Sequence, residues 1–198
     1  LKDENIIVYD EGYVHKESSI DYLDDDNGVL LTDFPKTTLE EGNYLICLKK
    51  DCYLPNPTNY DIIISTFKGY DVIYTGISDN LNTRYKKHFV YKNASSSTVQ
   101  LSIGSLFEYK KFIKNSKSKK KRYIFNDSDS EKLKKWINDN CLFFFEEESN
   151  SFTREVELIN KYNPPLNLDL NSNIVNKSFR SDLSLLRSKN REKVNINN

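Results

Sequence analysis

The run Val72-Ile73-Tyr74-Thr75-Gly76-Ile77 is apolar and rich in β-branched residues, and directly after Ser78 the chain changes to a helical rhythm. This switch of period within one short stretch constrains the fold more than any other feature. Upstream, residues 61–67 are again β-branched and apolar, and Lys68-Gly69-Tyr70-Asp71 between the two runs reads as a tight turn, which predicts a hairpin. Downstream, Leu81, Tyr85 and Phe89 recur at i, i+4 and i+8 and form one apolar stripe. Arg84 and His88 share the four-residue spacing and stand one turn apart on a neighbouring face.

The remaining elements follow from similar signals. Gly42–Leu48 reads as a strand, and Lys49–Asn59, with Pro55 and Pro57, as a loop. A second helix is expected over Thr98 to about Ile113, then a basic loop at Lys114–Arg122. Ser130 is the expected cap of a helix over Glu131–Asn138 that buries Leu133, Trp136 and Ile137. Cys141–Phe145 reads as a short strand. Ser151 is the expected cap of a helix over Phe152–Tyr162 with Phe152, Val156 and Ile159 inward, stopped by Pro164-Pro165. The expected class is α+β, a small antiparallel sheet of about three strands flanked by helices.

Residues 1–38 form an acidic N-terminal extension with weak strand signals at Ile6–Tyr9 and Val29–Leu31 and a turn at Asp24–Gly28. Residues 39–170 form the expected domain, with 49–60 and 114–128 as insertions or loops. Residues 171–198 read as a loosely packed polar tail with one helix around Asp182–Arg187.

Charge narrows the partners. The net charge is zero, but twelve carboxylates against three lysines fall in residues 1–41, and twelve lysines and arginines against Glu108 alone in residues 82–122. Such segregation builds a local phosphate-binding surface whatever the sum. Lys86, Lys87, Lys119, Lys120, Lys121 and Arg122 are the expected contacts to DNA backbone. The acidic arm reads as a solvated face, or as a cover over the basic surface. No apolar run approaches the length of a membrane span, the longest being Leu142–Phe145. The start lacks a basic segment followed by an apolar one, so a cytoplasmic location is expected. Cys47, Cys52 and Cys141 are odd in number without C-x-x-C spacing, which suits reduced structural thiols.

Gly42-Asn43-Tyr44 and Tyr74-Thr75-Gly76 place a G-x-Y and a Y-x-G element on two strands, and Arg84 and His88 follow Gly76 by eight and twelve residues. Glu155-x-x-Leu158-Ile159, then Pro164 and Asn167, complete the set. Over roughly residues 39–170 this order resembles the GIY-YIG nuclease superfamily, and Ser97–Gly104 resembles an S-T-x-R-x-S-L-G segment of a bacterial branch. The resemblance implies a restriction-type or phage-type endonuclease that hydrolyses DNA phosphodiesters with Mg²⁺ or Mn²⁺. The alternatives are an inactive DNA-binding module of the same fold and a protein–protein adaptor using the acidic arm.

The chemistry suits these residue types. A hard divalent ion keeps most of its waters, so one carboxylate suffices to hold it, and the resemblance makes Glu155 that ligand. Arg84 offers a permanently charged fork for phosphoryl oxygens. His88 orients a tyrosine hydroxyl or relays a proton. The resemblance implies that one of the two phenols is the general base, either order being open; Tyr44 is taken as that base and Tyr74 as orienting water or phosphate, with a nearby cation lowering the phenol pKa. The resemblance also implies that Asn167 supports the site by hydrogen bonding. Three features depart from the pattern. Asn43 stands where Ile is usual, Gln100 replaces an Arg, and the long Tyr44–Tyr74 separation leaves Tyr60 as an alternative first tyrosine.

Overall fold

The computed structural model describes residues 7–10, 13–14, 41–57, 59–92, 94–114, 122–147, 149–189 and 191–192. The strands are β1 (Ile7–Asp10), β2 (Tyr13–Val14), β3 (Gly42–Leu48), β4 (Thr66–Phe67), β5 (Tyr70–Ser78), β6 (Lys111–Lys114), β7 (Arg122–Ile124), β8 (Cys141–Glu147) and β9 (Arg191–Glu192). The helices are α1 (Leu81–Tyr85), α2 (Thr98–Leu106), α3 (Asp127–Asn140), α4 (Ser151–Tyr162) and α5 (Lys177–Ser188). A π-helical turn at Lys86–Val90 continues α1, closed by the Tyr91 N–H donating to the Lys86 carbonyl at 2.8 Å. The expected signals at Val29–Leu31, Asp24–Gly28 and Lys119–Lys121 lie outside the described residues.

The main sheet runs β2-β1-β8-β3-β5-β4, every described pair antiparallel, and a small second sheet runs β7-β6-β9. The centre of the main sheet, β8-β3-β5, comprises three of the strands expected from sequence. β1, from the acidic extension, adds to it by pairing Ile7 with Phe145 and Tyr9 with Phe143. Both faces of the sheet are covered, which explains the near-continuous apolar strands. On one face Tyr44, Ile46, Leu48, Phe143 and Phe145 pack against Leu81, Tyr85, Phe89, Val99, Ile103, Leu133 and Ile137. On the other, Leu45, Cys47, Val72, Leu142 and Phe144 meet Phe67, Tyr70, Leu158 and Tyr162. Each fully buried side chain of this size contributes roughly 1.5–3 kcal/mol over its exposed state.

A β-bulge shapes the centre of the sheet. Ile46 pairs with Tyr74 but Cys47 with Val72, so Ile73 is the extra residue. Beyond the bulge Tyr44 faces Gly76, which sets Tyr44 and Tyr74 on the same face. A Cβ on Gly76 would lie 2.5 Å from the Tyr44 hydroxyl, so the glycine is required by the ring lying across it.

Several expected boundaries move. α2 ends at Leu106 rather than near Ile113, because Glu108 adopts a left-handed conformation (φ 57°) and turns the chain into β6. Asn126, not Ser130, caps α3, its Oδ1 accepting from the Asp129 N–H at 2.8 Å. Ser151 is the first residue of α4 instead of its cap, and Phe152 is 60% exposed. α4 turns the stripe Ser151, Glu155, Leu158 and Tyr162 inward, which rotates Phe152 out. Only Thr66–Phe67 of the run 61–67 pairs as a strand, since Asn176 occupies the backbone of Ile63 with two side-chain hydrogen bonds, at 3.0 and 2.7 Å. α5 is longer than expected of a polar tail, and its Phe179 and Leu183 complete the main core.

Candidate active site

Tyr44, Tyr74 and His88 meet at one end of the sheet. The Tyr44 hydroxyl lies 3.0 Å from His88 Nε2, and the Tyr44 and Tyr74 ring centroids are 6.1 Å apart. His88 projects from the π-helical turn, a distortion frequent at functional positions. Its other nitrogen, Nδ1, lies 2.7 Å from Ser97 Oγ, and Ser97 caps α2 by accepting from the Gln100 N–H at 3.0 Å. The Gln100 side-chain amide donates to the carbonyls of Lys87, His88 and Tyr91 at 3.1, 2.9 and 2.8 Å. The residue that departs from the Arg pattern therefore grips the turn that carries His88. Thr98, next to the cap, lies beside the Tyr74 hydroxyl and opposes part of the rise in its pKa.

Arg84 reaches the same cluster from α1, its charge acting on Tyr44, Tyr74, His88 and Glu155. One Nη donates to the Ile77 carbonyl at 3.4 Å, and its buried Nε has no hydrogen-bond partner among the described residues. A buried donor without an acceptor costs about 1–3 kcal/mol, so this guanidinium is suited to receive an anion. Glu155 comes from α4, half-buried and within electrostatic range of Arg84 and both phenols. Asn43, which replaces the usual Ile, docks that helix, its Nδ2 donating to the Ser151 carbonyl at 2.9 Å. Glu146 on β8 holds α4 again through Arg154 at 2.8 Å. Asn167 forms a two-way clamp on the Thr75 backbone, accepting from its N–H and donating to its carbonyl at 2.9 Å each, and so fixes the strand between Tyr74 and Gly76.

Burial dominates the protonation of the cluster. It raises Tyr44 well above the ordinary phenol value, with Tyr74 adding and Arg84 opposing. Tyr74 is also raised, chiefly by burial, although Arg84 opposes. The nearby cation therefore does not produce a depressed phenol, because desolvation outweighs it. His88 falls to about 3 through burial, then Arg84, then Lys87, which keeps the imidazole neutral. Burial raises Glu155 and Arg84 opposes it, so this carboxylate lacks full charge compensation.

The other sequence candidates lie elsewhere. Tyr60 is 38% exposed and donates to Asp182 Oδ2 at 3.0 Å, away from the cluster. Lys86 and Lys87 are half-exposed on the π-helical turn. Arg122 lies in β7, and Lys119, Lys120 and Lys121 are outside the described residues. Sequence reasoning missed Ser97 and Thr98 as partners of His88 and Tyr74, although both sit in the segment resembling S-T-x-R-x-S-L-G. Among the described residues no three His, Cys, Asp or Glu side chains gather as a metal cage. A single undercompensated carboxylate still fits a hard ion that retains its waters. No helix among the described residues is long and apolar enough to cross a membrane.

Comparison with curated proteins and with solved structures gives no match. The profile of the GIY-YIG catalytic domain, however, matches residues 42–189, from the first residue of β3 to just beyond α5. That span takes in both tyrosine elements, Arg84, His88, Glu155 and Asn167. With the paired tyrosines on one curled antiparallel sheet and the arginine on the helix that follows, the chain belongs to the GIY-YIG family and carries its nuclease domain.

Proposed function

We propose that the protein is a divalent-metal-dependent DNA endonuclease of restriction or phage type, acting in the cytoplasm, with Glu155 as the ligand of Mg²⁺ or Mn²⁺. The observation that carries this reading is the single electrostatic cluster of two phenols, an imidazole, a guanidinium and a carboxylate. The three cysteines are free thiols, in keeping with a reducing compartment. The bound ion would neutralise charge on the phosphoryl oxygens and help the leaving 3′ oxygen.

The remaining chemistry falls to the protein. Arg84, whose Nε lacks an acceptor among the described residues, receives a non-bridging phosphate oxygen. Tyr44 is the general base toward the attacking water, and its own proton passes along the 3.0 Å contact to His88 Nε2. In that arrangement Nδ1–H donates to Ser97 Oγ. Burial, then Arg84, opposes an imidazolium at His88, and a substrate phosphate beside Arg84 would offset the Arg84 part of that opposition. Tyr74 orients the water or the phosphate, and Asn167 holds its strand.

Supercoiled plasmid incubated with the protein and Mg²⁺ tests the reading. Nicking or linearisation that disappears with EDTA and in Glu155→Ala is the expected result. DNA binding without cutting by the intact chain would instead identify an inactive DNA-binding module.

A further inference from the structure

The segment joining α4 to α5 and the polar face of α5 enclose an open cleft of about 720 Å³ that the chemistry above does not use. Lys177, Ser181, Ser184 and Ser188 line it at helical spacing with Arg187 beside them, while Phe179 and Leu183 face the core from the opposite side of the helix. In its floor lies Arg180, 6% exposed, donating to Asn163 Oδ1 and the Val175 carbonyl at 3.0 Å each and to the Asn173 carbonyl. These acceptors are neutral, and among the described residues no carboxylate offsets the cost of burying this cation. Among the described lining residues Lys177, Arg180 and Arg187 are cations and Asp169 is the one carboxylate, a balance that favours a positive potential in the cleft.

Position adds a second argument. Leu168, in the cleft wall, follows Asn167, which clamps Thr75 between the site tyrosine and Gly76. Asn163, bonded to Arg180, terminates the helix that carries Glu155. The cleft is therefore built from the chain that supports the candidate active site. Its cations and serine hydroxyls suit phosphates, while its amides are engaged locally, Asn171 with the Pro164 carbonyl and the Asn173 N–H and Asn173 with the Val175 N–H.

We propose that this cleft holds the phosphodiester backbone of the DNA flanking the cut, with Lys177 and Arg187 pairing with phosphates and the serine hydroxyls donating to them. The proposal rests on the nuclease reading.

Its test is duplex binding across a salt series in a Glu155→Gln background, which separates affinity from cutting. Lys177→Ala/Arg187→Ala removes two phosphate contacts. The slope of log affinity against log salt should become shallower by about two, with affinity at low salt down tenfold or more. Ser181→Glu/Ser184→Glu removes no cation and should lower affinity comparably, with circular dichroism checking that the helix persists. Affinity and slope equal to the parent in both variants overturn the proposal. Plasmid cutting by the intact chain together with that equality sinks the cleft alone. Binding that depends on the cleft, without any cutting by the intact chain, supports the cleft and sinks the nuclease reading. Absence of duplex affinity sinks both.

Discussion

Acidification should destabilise this protein through one buried imidazole. His88 is fully buried, with its pKa lowered from 6.5 to about 3 by burial and by the Arg84 and Lys87 charges. A depressed folded-state pKa favours the neutral form on folding. The associated stability is complete above pH 6.5 and is lost as pH falls toward 3. The gap of about 3.5 units, at 1.36 kcal/mol each, sets a ceiling of about 5 kcal/mol. By pH 5, about 1.5 units into that range, roughly 2 kcal/mol should be gone. Urea denaturation at pH 7 and pH 5 measures it, since 2 kcal/mol moves the midpoint by about 1 M. His88→Gln has no group to titrate, so its midpoint should fall less over the same interval, by that amount. Parallel losses in the parent and in His88→Gln would refute the buried neutral imidazole and the proton path assigned to it.

Further tests address the surrounding residues. Glu155→Gln should abolish most plasmid cutting, by roughly two to three orders of magnitude. It should also raise stability at pH 7 relative to pH 4, because a carboxylate held above its ordinary pKa loses folding free energy as pH rises through that value. Thermal melts at the two pH values check the sign. Gly76→Ala forces a Cβ to within 2.5 Å of the Tyr44 hydroxyl, and overpacking of this kind costs about 1–3 kcal/mol; cutting should fall alongside the melting temperature. Asn167→Ala leaves the Thr75 N–H and carbonyl unpaired, which should cost about 2–4 kcal/mol by chemical denaturation. Ser97→Ala should slow cutting and alter its pH profile, and Ser97→Thr, which keeps the hydroxyl, should restore both.

Much of the arrangement at the candidate site was legible because its residues obey short-range spacing. Tyr74 and Gly76 are two apart on one strand, so local periodicity sets their relative directions, and the four-residue spacing of Arg84 and His88 brings them to neighbouring turns, with the π-helical turn at Lys86–Val90 setting the final direction of His88. Tyr44 could be ranked above Tyr60 from its preceding glycine, and the strand pairing then brings it to Gly76. What escaped was fixed by distant partners. Phe152 looks like a core residue until the sheet selects the neighbouring stripe of α4. The run 61–67 has strand chemistry, but Asn176, more than a hundred residues later, takes its backbone hydrogen bonds at Ile63. Of the helix at 177–188 only the second half, around Asp182–Arg187, shows in the polar composition, because Phe179 and Leu183 are few, yet both enter the core. The raised phenol pKa values likewise depend on how deeply the fold buries the rings, which spacing does not report.

The π-helical turn at Lys86–Val90 bears on how this chain can vary. A turn of that kind accommodates one more residue than an α-turn, and deleting a single residue there would leave a regular helix with better local hydrogen bonding. That same deletion would swing the imidazole out of line with the phenol it meets. Side chains on the outer surface of the turn are free to drift, but its length is not. An insertion or deletion of one residue between 86 and 90 should do more harm than most point substitutions in the same stretch.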